Sequence, residues 1–188
     1  AGEYGDNIGV SEAVLIYSFD TGVNGTVVLE DVNFSVVLDV PRNATYLECA
    51  VVVSDLSNNT VSESMEVSVV DVIEPEIVSI EHGNATTGDV LSIRVIITDN
   101  IRVREVYLMH NGKNVSMELK DGIYVCDIDV PTDALFLNYT ILAYDVSGNM
   151  NRTEGVIPVV DDDSPEILDD RSVLKKGRFQ FEVEAVDN

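Results

Sequence analysis

The sequence predicts an all-β protein assembled from tandem repeats of about 90 residues, and three observations carry that expectation. Val, Ile and Thr together supply 56 of the 188 residues and Ala only 8, so side chains that suit a pleated surface dominate over helix formers. The chain also matches itself at an offset of 90 residues, a periodicity that reports tandem units. Val40-Pro41 returns as Val130-Pro131, Asp55-Leu56-Ser57-Asn58-Asn59 as Asp145-Val146-Ser147-Gly148-Asn149, Val69-Val70-Asp71 as Val159-Val160-Asp161, and Pro75-Glu76-Ile77 as Pro165-Glu166-Ile167. The pair Asp-Asn stands at 6–7, 99–100 and 187–188, where small differences in loop length account for offsets of 93 and 88. Finally, the copy that is complete in its own register, roughly 75–160, alternates apolar and polar residues with period two in short runs.

Taken in order, those runs are 76–80, 90–98, 103–110, 114–120, 123–130, 137–144 and 155–160. Seven short strands at this spacing predict a β-sandwich of the immunoglobulin kind, with the runs in positions A, B, C, C′, E, F and G. Asn111-Gly112 between the third and fourth is a strong hairpin signal, because both turn positions favour positive φ. In the fifth run Tyr124, Cys126, Ile128 and Val130 share the apolar face, matched in the first copy by Phe34, Val36, Leu38 and Val40. In the sixth, Tyr139, Ile141 and Ala143 are matched by Cys49, Val51 and Val53. Cys49 and Cys126 therefore read as buried free thiols in two separate cores, which a disulfide could not bridge.

The linkers fall at 72–75 and 161–165 and divide the chain into three stretches. Residues 1–72 read as a repeat lacking its first two strands, 73–161 as a complete repeat, and 162–188 as the first two strands of a further one. The domain is thus split between the two chain ends. Either the stretch belongs to a longer array, or the first two strands of one subunit complete the next and copies of the chain join head-to-tail.

The stretch 123–149, with Y-x-I-x-A-x-D-x-S-G-N from Tyr139 to Asn149 and then D-x-x-x-P from Asp161 to Pro165, resembles immunoglobulin-like and cadherin-like repeats. Such repeats build prokaryotic, including archaeal, surface-layer, sheath and adhesin proteins. The resemblance implies an exported, modular and non-catalytic role at the cell surface. The full Asp- and Asn-rich linker motif of cadherins is missing, so homophilic adhesion does not carry over.

Composition narrows the function further. A net charge of −23 repels phosphate, which argues against nucleic acid as a partner. No apolar run is long enough for a membrane-spanning helix, so no membrane insertion is expected. Catalysis needs convergent groups, whereas His82 and His110 stand alone and neither a nucleophile elbow nor a C-x-x-C pair occurs. Asp127 and Asp129 alternate on the outer side of their run and read as a solvated face rather than a glycosidase pair.

Two signals remain. Eight N-x-S/T sequons stand at Asn24, Asn33, Asn43, Asn58, Asn84, Asn114, Asn138 and Asn151, where this composition would give about two by chance. Asn24 and Asn114 occupy the same place in the two copies, and N-linked glycans on such sites put the chain outside the cell. Acidic and amide residues also gather where a sandwich of this kind brings its incoming linker and two of its loops together: Asp71 and Glu74, Asp99 and Asn100, Asp145 and Asn149. Oxygen ligands in that number suit Ca²⁺, although Asp and Asn also punctuate turns. The sequence thus points to a structural segment of an extracellular glycosylated surface layer, sheath or filament. A calcium-dependent adhesin is the second possibility.

Overall fold

In the computed structural model of the chain, residues 2–7 and 9–186 are described, and the chain divides into two compact units, Ala1–Ile73 and Glu74–Asn188. All the regular structure among the described residues is β. No helix is long and apolar enough to cross a membrane.

The first unit contains β1 (Gly2–Glu3), β2 (Val10–Phe19), β3 (Asn24–Val28), β4 (Asn33–Phe34), β5 (Tyr46–Asp55) and β6 (Thr60–Ser68). The second contains β7 (Glu76–His82), β8 (Ala85–Thr86), β9 (Val90–Thr98), β10 (Val103–His110), β11 (Lys113–Ser116), β12 (Glu118–Lys120), β13 (Ile123–Asp129), β14 (Phe136–Asp145) and β15 (Met150–Val160). After these come β16 (Glu166–Asp170), β17 (Val173–Lys175), β18 (Arg178–Gln180) and β19 (Val183–Val186).

Residues 76–160 form a two-sheet sandwich. One sheet runs β12-β13-β9-β7 and the other β11-β10-β14-β15-β8, which is the D-E-B-A and C′-C-F-G-A′ order of an immunoglobulin-type domain. Inward residues alternate along each strand: Leu91, Ile93, Val95 and Ile97 on β9, then Tyr124, Cys126 and Ile128 on β13, face Leu137, Ile141 and Ala143 on β14 in one core cluster. Each large aliphatic side chain buried there stabilises the fold by roughly 1.5–3 kcal/mol. The hairpin at Asn111-Gly112 forms with positive φ at both residues (49° and 70°).

Three elements differ from the sequence expectation. The run 114–120 is two strands: β11 pairs with β10 and β12 with β13. The chain changes sheets at the buried Met117, whose N–H donates to the Val106 carbonyl at 2.9 Å. The last strand begins at Met150 rather than 155, and Gly155 lies inside it opposite Tyr139. A Cβ there would meet the Tyr139 ring at 2.3 Å, so glycine marks a close approach and not a strand start. The third difference is β8, a two-residue strand parallel to β15, too short to leave a period in the sequence.

The first unit is one open sheet, β3-β2-β5-β6, with a small β1-β4 ribbon. These four strands correspond to C′, C, F and G. Its fifth-run counterpart is not the strand over 34–40 that the alternation of Phe34, Val36, Leu38 and Val40 implies, because only Asn33–Phe34 is laddered. The reason is the partner: β1 offers two residues, and a strand without a neighbour has nowhere to place its backbone donors. The pair Gly2↔Phe34 in β1-β4 occupies the place of Val95↔Tyr124 in β9-β13, so β1 stands where the end of strand B would be.

Beyond the sandwich, β16 pairs with β19 and β17 with β18. The β16-β19 ladder reproduces the β7-β9 ladder: Glu166↔Val186, Ile167↔Ala185, Asp169↔Glu184 and Asp170↔Val183 follow Glu76↔Thr98, Ile77↔Ile97, Ser79↔Ile96 and Ile80↔Val95. The bulge falls at the same place in both, between Ile77 and Ser79 and between Ile167 and Asp169. The last Asp-Asn pair, at 187–188, lies outside the described residues.

Candidate functional site

The loop between β9 and β10 and the loop between β14 and β15 meet at one end of the second unit's sandwich, where the Val146 N–H donates to the Arg102 carbonyl at 3.1 Å. The first unit makes the matching bond from Leu56 to Gly9 at 3.2 Å. Asp145 ends β14 with 0% of its surface exposed. Its Oδ1 accepts the N–H groups of Ser147 (2.9 Å) and Asn149 (2.8 Å), and its Oδ2 accepts the Asn149 side-chain amide at 2.7 Å. Gly148, at φ 94°, closes the turn.

Asp55 repeats this arrangement with Ser57 (2.7 Å), Asn59 N–H (2.8 Å) and the Asn59 amide (2.7 Å). The Asn59 amide, then its backbone N–H, hold the Asp55 carboxyl below its ordinary value of 3.8. That contribution to the loop is present above the ordinary value and is lost as pH falls through the lower folded-state value.

Asp99 opens the other loop. Its Oδ1 accepts from Ile101 N–H at 2.9 Å and Arg102 N–H at 2.7 Å, while its Oδ2 is buried and has no hydrogen-bond partner among the described residues. One carboxylate oxygen of Asp99 and one of Asp145 lie within 4.8 Å of each other. Two negative groups so close repel, and a cation between them would turn that repulsion into ligation.

The other expected ligands are placed as follows. Asn149 is tied to Asp145 through its amide nitrogen. Asn100 is half-buried beside Asp99, and Glu74 is exposed. Asp71 lies ahead of the second unit, half-buried, with its carboxylate accepting the Ile73 N–H at 3.1 Å. Sequence reasoning offered turn punctuation as the alternative to oxygen ligation, and Asp145 and Asp99 do build their own loops. The signal was available in the D-x-S-x-N spacing shared by Asp55 and Asp145.

Of the sequon asparagines, Asn24, Asn33, Asn43, Asn58, Asn84, Asn114 and Asn138 are exposed. Asn151 is half-buried, and its amide donates to the Pro75 carbonyl at 2.8 Å. The nitrogen a glycan would take is there already engaged in the fold.

Cys126 is buried, and burial, then the charge of Asp127, push its thiol up. Cys49 is only half-buried, contrary to the expectation of a closed core, because the sheet that carries it is open on that side. A thiol reagent is therefore expected to modify Cys49 in the native protein and Cys126 only after denaturation. Two thiols reacting at equal rates would contradict this placement.

No protein-family model matches the chain, and no curated protein matches it. Among solved structures it is similar to an amphioxus IgVJ-C2 molecule, at 14% identity and TM-score 0.49 over 83% of this chain and 93% of that one. It is similar to fibronectin(III)-like modules of Clostridium thermocellum CbhA at 11% identity and TM-score 0.40, covering 84% and 82%. A Ca²⁺-stabilized ice-binding adhesin of an Antarctic bacterium aligns at 17% identity and TM-score 0.35, over 87% of this chain and 44% of that one. Likenesses this distant add nothing to the strand order.

Proposed function

We propose that the chain is a structural repeat segment of an extracellular, glycosylated cell-surface layer, sheath or filament of a prokaryote. The observation that carries this reading is the sequon set: seven asparagines of eight lie exposed on a tandem β architecture. An immunoglobulin-type sandwich offers stiffness and two ends for chaining units, and sugar on its exposed strands shields it from proteases. The intact mass of native material is expected to exceed the 20.6 kDa of the polypeptide, with sugar on Asn24 and Asn114 and none on Asn151. An unmodified native chain would remove the ground for the reading.

A second reading, a calcium-dependent adhesin, is favoured by the loop-end carboxylates. In it Asp99 and Asp145 hold Ca²⁺, with Glu74, Asn100 and Asn149 as further oxygen ligands. Millimolar Ca²⁺ should then raise the melting temperature, since an ion bound only by the folded state stabilises it by mass action. Asp99→Asn is the informative variant, because it keeps an oxygen for the Ile101 and Arg102 N–H groups and removes the charge. It should abolish the Ca²⁺ increment and leave the metal-free melting point near that of the parent. A melting curve that neither Ca²⁺ nor chelator moves would exclude the site. Sedimentation separates the readings: a lattice segment self-associates, whereas an adhesin stays monomeric and binds a partner.

A further inference from the structure

We propose that Phe136, Val156 and Pro158 form a shelf for the first sugar ring of a glycan on Asn138, a role that rests on the glycosylated-segment reading above and turns one sequon into a structural site. On β14, Leu137 and Ile141 point into the core, so Phe136, Asn138 and Thr140 point outward. On β15, Ile157 points inward, which sets Val156 and Pro158 on the same outer face. The ladder pairs Phe136 with Pro158 and Asn138 with Val156. Phe136 is 57% and Val156 63% exposed, and Pro158 is exposed as well.

Single exposed apolar side chains are ordinary on a protein surface; the first unit supplies the contrast that singles these out. At the matching places of the repeat, Glu48 stands for Asn138 and Ala50 for Thr140, so the sequon is absent there. Glu48 is paired with Glu66, and Tyr46 with Ser68, so the strand beside it is polar. Where the sequon is present, those two neighbouring positions are Val156 and Pro158. Apolar surface on the last strand thus accompanies an asparagine that can carry sugar, and a carboxylate and a hydroxyl replace it where there is none.

Opposed side chains on neighbouring strands have Cβ atoms about 5 Å apart, and same-face neighbours along one strand are about 7 Å apart. A pyranose joined to the Asn138 amide therefore comes within reach of all three shelf residues. One face of such a ring is made of C–H bonds, which suit the negative face of the Phe136 ring, while its hydroxyls stay in water. Covering Phe136 and Val156 in this way removes apolar surface from solvent. The transfer joins the Asn138 amide nitrogen to the anomeric carbon of a lipid-phosphate-linked sugar; the phosphate leaves with the bonding electron pair, and the amide loses one proton. Thr140, the third residue of the sequon, is 7% exposed, and β14 is paired with β10 on one side and β15 on the other. A transferase cannot read that sequon in the folded sheet, so the sugar is attached before β14 enters it and the shelf forms beneath the sugar.

The test compares the full chain secreted by a eukaryotic host, trimmed enzymatically to one N-acetylglucosamine per site, with the sugar-free chain made in a bacterium. The glycosylated parent should melt higher in its second unit by roughly 4 °C or more. Phe136→Ser/Val156→Ser should lose that increment while keeping its sugar, and Asn138→Gln should lose it together with the sugar. Sugars at the other sites are common to the parent and the shelf variant, so the difference between these two reports the shelf. In NMR spectra the ring protons of the Asn138 sugar should be shifted upfield by the Phe136 ring and return to ordinary positions in Phe136→Ser. An increment that the shelf variant retains, or unshifted sugar protons, would overturn the shelf and leave the glycosylated reading to be judged by the mass of native material. An Asn138 left bare in a chain modified at Asn24 and Asn114 would overturn it too. So would a sugar-free parent that dimerises where Phe136→Ser/Val156→Ser stays monomeric, since the patch would then belong to a second copy.

Discussion

Replacing Asp145 with alanine is expected to destabilise the second unit by about 3 kcal/mol or more, because two backbone N–H groups and one amide lose a buried charged acceptor together. For a domain of this size that is a fall in melting temperature of roughly 12 °C or more. Asp145→Asn keeps an acceptor oxygen and should recover much of the loss. Asp55→Ala removes the same bonds from a loop that water reaches, so its effect should be distinctly smaller. Equal shifts for Asp55→Ala and Asp145→Ala in calorimetry would refute the claim that burial sets the difference.

Two positions 90 residues apart give the second large contrast. Ile157→Asp puts a carboxylate into the sandwich core and should cost about 4 kcal/mol or more, enough to leave the second unit largely unfolded. Val67→Asp places the same group on the open face and should barely move the melting of the isolated chain. If Val67→Asp unfolds a monomeric chain as thoroughly as Ile157→Asp does, the first unit is closed by some other part of its own polypeptide.

These contrasts show what was legible in the sequence. Strand parity was: Tyr124, Cys126, Ile128, Ile141 and Ala143 all point inward as period-two alternation requires. The boundaries were not, wherever the deciding contact was tertiary. Met117 belongs to an unbroken alternation from Val115 to Leu119, and only the choice of sheet on either side of it makes two strands of one run. Residues 35–40 place Val36, Leu38 and Val40 at every second position, yet such a pattern states which side chains want burial and not whether a neighbouring strand is present. The candidate site was half legible. Oxygen-bearing residues could be gathered from loop positions, but the burial of Asp145 and the unpaired oxygen of Asp99 depend on how two loops pack.

The short strand β8 has a consequence for how the second unit would carry load. The chain enters the sandwich through β7 and β8 and leaves it through β15, and β8 runs parallel to β15 through Val159↔Ala85 and Val160↔Thr86. The Thr87 N–H adds a bond to the Val160 carbonyl at 3.0 Å. Pulling on the two ends of the unit therefore slides these strands along each other, so their hydrogen bonds are strained together and not peeled off in turn. Resistance to tension is a property of the unfolding barrier and not of equilibrium stability. Tension applied at the entering end passes through β7 and its ladder with β9 before it reaches this three-residue clasp.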